Sequence, residues 1–89
     1  MMTYTQAVNF LDRQNKNLKR VNNMRFVHNG YEYRVTYRGG FAAYVAIDRR
    51  IVGTKNFKYF SGVGAYHCWN AGEVMDLVMK EIEKKEGVA

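Results

Sequence analysis

Residues 24–38 read Met-Arg-Phe-Val-His-Asn-Gly-Tyr-Glu-Tyr-Arg-Val-Thr-Tyr-Arg. Two alternating runs, Met24 to His28 and Tyr31 to Arg38, flank Asn29-Gly30, the dipeptide that best tolerates the two positive φ angles of a type I′ turn. A two-residue loop sets the register. It pairs His28 with Tyr31, Phe26 with Tyr33 and Met24 with Val35 on one face, and Arg25 with Arg34 and Val27 with Glu32 on the other. The first face is the core face, and the second turns two arginines outward side by side.

Beyond the hairpin, Gly39-Gly40 opens a turn into Phe41 to Ile47. A two-residue loop there would put Phe41, Ala43, Val45 and Ile47 on the face of Arg34, Thr36 and Arg38, mixing apolar with charged side chains. A three-residue connection with Gly40 in the left-handed region, making a G1-type bulge, restores the parity and aligns Val45 with Val35 and Ile47 with Tyr33. That register leaves Arg25, Arg34, Thr36, Arg38 and Tyr44 facing outward, with Arg49 and Arg50 where the third strand ends. Residues 51–69 carry a weaker pattern. Ile51-Val52 and Phe57 to Phe60 fit one or two short strands separated by Gly53 and Lys55-Asn56, and Ser61 to Gly64 reads as a loop leading to Tyr66-His67-Cys68-Trp69.

A helix is predicted on each side of the strands. The first runs from Tyr4 to about Leu18: Thr3 and Gln6 match a capping box, and Tyr4, Ala7, Val8, Leu11 and Leu18 recur at helical spacing. Lys16, Lys19 and Arg20 suit the negative end of its dipole, and Asn22-Asn23 breaks it. The second is capped by Asn70 with Glu73 three residues on, shows Val74, Leu77, Val78 and Ile82 on one face, carries Asp76–Lys80 and Glu81–Lys85 as i,i+4 pairs, and ends at Gly87. The fold class is therefore α+β, α-β-β-β-(β)-α. One domain over residues 1–89 has an antiparallel meander sheet with both helices on one face and the other face left to solvent or a partner.

With 89 residues the chain has room for one small core, and 47% hydrophobic with 25% charged residues favours folding over disorder. A lone Cys68 cannot form an internal disulfide and fits a reducing compartment. No signal-peptide segment and no apolar run near 18 residues is seen, so no membrane association is expected and the cytoplasm is the expected location.

Charge is unevenly spread. Between Arg13 and Lys58 eleven Lys and Arg face two carboxylates, Glu32 and Asp48, a local +9 inside a net +6. Clustered positive charge on or beside a sheet attracts phosphates and other anions. The candidate binding site is Arg25, Arg34, Arg38 and Tyr44, with Arg49, Arg50, Lys55 and Lys58 at its margin. Arginine grips phosphate oxygens bidentately and stacks on bases or on tyrosine. The partner class expected is nucleic acid or a ribonucleoprotein. The alternative is an acidic protein surface, with the chain a small inhibitor or adaptor of the kind phages and mobile elements carry, blocking a host or defence protein. The plainest reading is a solvated sheet face. An uncovered sheet edge would also permit a homodimer.

No enzyme, cofactor or metal site is expected. Adjacent His67 and Cys68 on extended backbone point to opposite sides, and one Cys with only His28 besides cannot complete a zinc set. Cys68 reads as a small buried residue and Trp69 as a core plug over the start of the second helix, with Met75 and Met79 filling core gaps. Gly62-Val63-Gly64 lacks the lysine and the strand-to-helix context of a phosphate loop. The carboxylates of the second helix form a solvated face. The α-β-β-β-α order resembles that of double-stranded RNA-binding domains. The resemblance stops at the order: the second helix opens Asn70-Ala71-Gly72-Glu73, where that family carries a basic cluster straddling phosphates.

Overall fold

A computed structural model of the chain, describing residues 1–87, contains α1 (Tyr4–Leu11), β1 (Met24–His28), β2 (Tyr31–Arg38), β3 (Tyr44–Ile51), β4 (Lys58–Gly64) and α2 (Ala71–Lys85). The four strands form one antiparallel sheet in the order β1-β2-β3-β4.

The hairpin has the register its sequence predicts, Met24 opposite Val35 through His28 opposite Tyr31. Asn29 and Gly30 adopt φ of 51° and 81°, as a type I′ turn requires. The second connection differs. Arg38 pairs with Tyr44 and Val35 with Ile47, so five residues, 39–43, make the turn instead of three. Both loops are odd in length, which keeps Val45 and Ile47 facing the core, but β3 is shifted by two residues and Arg49, not Ile47, stands opposite Tyr33. Gly40 does take a positive φ of 112°.

Ser61 to Gly64 is the end of a regular strand rather than a loop. Ile47 pairs with Ser61 and Asp48 with Tyr59, leaving Phe60 as the extra residue of a bulge. Phe60 and buried Ser61 therefore both turn towards the core, the Phe60 ring meeting Tyr33 edge-on at 5.7 Å, while Tyr59 is turned to the other face.

The first helix stops at Leu11, seven residues before the spacing predicts. Its capping box forms: Thr3 Oγ1 accepts from the Gln6 N–H at 3.2 Å and Gln6 Oε1 accepts from the Thr3 N–H at 2.9 Å. Past Leu11, residues 12–17 offer no apolar face, and their short polar side chains bond their own backbone instead. Asp12 (φ 59°) accepts from Gln14 N–H, Asn15 from Asn17 N–H, and Asn17 from Lys19 N–H at the start of a 3-10 turn over Leu18–Val21. Lys16, Lys19 and Arg20 consequently lie beyond α1 and do not complement its last turn.

Both helices pack on the same face of the sheet. Ala7, Val8 and Leu11 of α1 and Val74, Met75, Val78 and Ile82 of α2 close over Phe26, Tyr33, Val35, Val45 and Ile47 in one core. Each fully buried aliphatic side chain contributes about 1.5–3 kcal/mol there. Asn70 caps α2 by accepting from the Glu73 N–H at 2.9 Å, and Gly87 (φ 77°) follows its end. Leu77 is only half-buried, and fully buried Met75 takes the place predicted for it. Asp76 pairs across the fold instead of with Lys80: Arg13 holds it at 2.6 Å and the Tyr4 hydroxyl donates to it at 3.3 Å. The Arg13 hydrogen bonds hold the Asp76 carboxyl below its usual range. Arg13 lies against Gly72, where an added Cβ would sit 3.0 Å from the Arg13 Cα, so the start of α2 admits no larger residue without a shift.

At the sheet's edges, β1 is capped by the N-terminal segment, with Thr3 bridging Val27 and the Val27 N–H donating to Met2 C=O at 2.8 Å. The outer edge of β4 has no strand partner among the described residues. In that same range no helix is long and apolar enough to cross a membrane.

Candidate functional site

The strand registers arrange the face opposite the helices in rows. Arg25 neighbours Arg34, which neighbours Asp48 and then Tyr59. The next row is Thr36, Ala46 and Gly62, and the last is Arg38, Tyr44 and Gly64. A further row at the other end joins Val27, Glu32 and Arg50.

Arg25, Arg34, Arg38 and Tyr44 thus share this face, as their alternation in sequence implies, and Arg50 joins them, but they are not equivalent. Arg50 is committed to the fold. Its Nε donates to Glu32 Oε1 at 2.7 Å, its Nη1 donates to Lys55 C=O at 2.8 Å, and Glu32 is only 5% exposed. A carboxylate this buried is costly unless it is paired and hydrogen-bonded. Arg34 donates to Asp48 at 3.0 Å, both half-buried. The ring of Phe57, delivered by the β3–β4 connection, meets three guanidiniums, with centroid distances of 4.2 Å to Arg50, 4.5 Å to Arg34 and 5.2 Å to Arg25. Phe57 and these ion pairs quiet one half of the face. Sequence spacing did not single out Phe57, because its role depends on where an irregular connection folds.

The other half is open and aromatic. Tyr44, Tyr59 and Tyr66 are 43%, 72% and 79% exposed. Beneath them lies a floor of small residues: the Tyr59 hydroxyl is 3.1 Å from where a Gly62 Cβ would stand, and the Tyr66 ring edge is 3.4 Å from that of Gly64, with Ala46 beside them. Glycine at 62 and 64 lets two tyrosine side chains lie along the sheet rather than stand on it. Arg38, opposite Tyr44, is exposed, and neither it nor Arg25 has a carboxylate partner among the described residues. The sequence signal for this surface is Tyr59-x-x-Gly62-x-Gly64-x-Tyr66, legible only once residues 58–64 are known to be a strand.

Arg49 belongs to the opposite face. Its guanidinium stacks 4.0 Å from the Tyr31 centroid and 4.4 Å from that of Phe60, beside buried Tyr33. Burial, and then the hydrogen bond donated to Glu86 at 2.6 Å, push the Tyr33 hydroxyl up to about 12 against the opposing pull of Arg49. Lys55 and Lys58 sit with Arg49 around a cleft at this end of the sheet. The marginal residues of the expected site therefore split, Arg50 to a structural pair and Arg49, Lys55 and Lys58 to the cleft.

His67 stacks edge-on with Tyr66 at 5.4 Å, and Cys68 is half-buried with its thiol pushed up by burial, which opposes thiolate chemistry. Trp69 does not plug the core: it is 76% exposed, because the start of α2 is already filled by Ala71 and Gly72 closing on residues 13–15. Among the described residues no three His, Cys, Asp or Glu side chains gather where they could hold a metal ion. Comparison of the chain with protein-family models, curated proteins and solved structures finds no match.

Proposed function

We propose that the chain is a non-enzymatic binding module whose open half-sheet stacks single-stranded nucleic acid. The observation that supports this reading is the trio Tyr44, Tyr59 and Tyr66, exposed on one face over Ala46, Gly62 and Gly64. Tyrosine rings lying on a sheet present flat π-surfaces to bases, and stacking of this type is worth about 1–3 kcal/mol per base. Arg38, opposite Tyr44, and Arg25, beside Phe57, lack partner carboxylates among the described residues and supply phosphate contacts on the β1–β2 side of the tyrosines. Ion pairing of Arg34 and Arg50 lowers the positive potential of the face, so aromatic stacking rather than bulk charge carries the affinity. Duplexes, whose bases are already stacked, bind more weakly than single strands.

A second reading, docking on an acidic protein surface, draws on exposed Trp69 and Phe41, since aromatic side chains and arginine are enriched at protein interfaces. Fluorescence anisotropy with labelled single-stranded RNA and DNA of mixed sequence separates the two. Under the stacking reading Tyr44→Ala and Tyr66→Ala each weaken binding by about tenfold, and log affinity falls against log salt with a slope of about 0.7 per phosphate contact on a single strand. Folded variants that bind as the parent does, or a parent that ignores single strands altogether, would remove nucleic acid as the partner.

A further inference from the structure

A cleft of about 740 Å³ opens where β3 and β4 leave the sheet, between the connection joining them and the last turn of α2. Arg49, Lys55, Lys58 and Lys85 line it, and no carboxylate among the described residues does. Arg50, which also borders it, is neutralised by Glu32. Gathering four cations in one concavity costs free energy through mutual repulsion, and an anion bound there relieves it.

Arg49 gives the cleft its chemistry. It occupies a core-facing position of β3, where an apolar residue would ordinarily stand, and its guanidinium lies between Tyr31 and Phe60 with no ion-pair partner among the described residues. The two rings hold the guanidinium in place, and although the Tyr33 hydroxyl, itself bonded to Glu86, takes one of its N–H donors, the others are left for an incoming acceptor. The Lys85 ammonium lies 5.7 Å from the same Phe60 ring, which brings the end of α2 to the same place.

We propose that this cleft binds a phosphate monoester, carried either by a free mononucleotide or by the phosphorylated end of a strand. A monoester brings about −1.5 to −2 charge and three acceptor oxygens on one phosphorus at pH 7, matching several converging cations better than the single charge of an internal diester. Exposed Tyr59, on the cleft's rim, offers a ring to the attached base. The inference does not rest on the stacking surface; the two regions meet only at Tyr59.

Calorimetric titration of the full chain with AMP and adenosine, and with one hexanucleotide bearing a 5′-phosphate, a 3′-phosphate or neither, tests it. AMP binding about tenfold or more tighter than adenosine identifies the free nucleotide as a ligand, and the same preference for a phosphorylated hexamer identifies the strand end. The preference weakens below pH 6, where a monoester loses its second charge. Arg49→Gln abolishes it, and Lys58→Gln with Lys85→Gln, a surface pair, reduces it should Arg49→Gln not fold. Tyr44→Ala leaves the preference intact even where it weakens strand binding. No preference for phosphate in either ligand series, or a preference untouched in both folded variants, overturns the proposal.

Discussion

Replacing Arg50 with Met keeps the aliphatic stem and removes the guanidinium, which isolates one charge inside the protein. Glu32 is 5% exposed, and Arg50 Nε and Nη2 both lie 2.7 Å from its Oε1. Without that partner the carboxylate keeps its desolvation cost and loses its compensation, a change worth about 3–5 kcal/mol when a buried pair is broken on one side. The bond to Lys55 C=O and the contact with Phe57 go with it, so the β3–β4 connection loosens as well. For a domain with roughly 5–15 kcal/mol in total this is a large share. At about 4–8 °C per kcal/mol, the midpoint of thermal unfolding falls by roughly 12 °C or more. Urea unfolding followed by circular dichroism measures the cost, with Arg25→Met as the control at an exposed arginine of the same face. The double variant Glu32→Gln/Arg50→Met recovers most of the loss, because a neutral amide requires less than a buried charge does. An Arg50→Met protein within about 1 kcal/mol of the parent, the value of an exposed pair, would refute the argument and return Arg50 to the candidate binding surface.

Two further predictions concern the core. Ile82→Ala, at a fully buried site on α2, costs about 2–5 kcal/mol, whereas half-buried Leu77→Ala costs clearly less; equal shifts in the urea midpoint would contradict a core-facing Ile82 beside a half-buried Leu77. Tyr4 and Tyr33 are both pushed up to about 12, chiefly by burial and then by Asp76 and Glu86 respectively, while tyrosine in the unfolded chain ionises near 10. The folded chain holds these protons more tightly, so the stability they lend is complete below pH 10 and is lost as pH climbs towards 12. Thermal unfolding measured across that window shows a falling limb, shallower in Tyr33→Phe; an unchanged limb in that variant would discount Tyr33 as its source.

How much could be read in advance depended on how local the deciding interaction is. The Asn29-Gly30 hairpin was legible to the residue because a two-residue turn leaves one register. Gly39-Gly40 gave the right parity and the wrong register, since loops of three and five residues satisfy the same alternation and only the packing of Phe26, Tyr33 and Val45 under the helices chooses between them. Helical spacing overran at Leu11 because Leu18 lies in phase with it, while the Asx turns at Asp12, Asn15 and Asn17 carry no periodic signal. The candidate site divided for the same reason. Outward Arg25, Arg34 and Arg38 followed from alternation, but which arginines are spent on ion pairs is a matter of partners brought from other strands.

What the sequence by itself determined, then, is the α+β order, the first hairpin, both helix caps and the concentration of positive charge on the strands, all properties of residues within a few positions of one another. Only the tertiary structure decided that Glu32 and Asp48 neutralise Arg50 and Arg34, that Phe57 lies among three guanidiniums, and that Arg49 turns to the helix side. It decided too that Tyr59 and Tyr66 lie down over glycines, which a single-residue bulge at Phe60 makes possible by reversing the side-chain alternation of β4. Period-two alternation records a face only while the ladder is unbroken, and one unpaired residue, invisible to the pattern, moves every side chain beyond it to the other side.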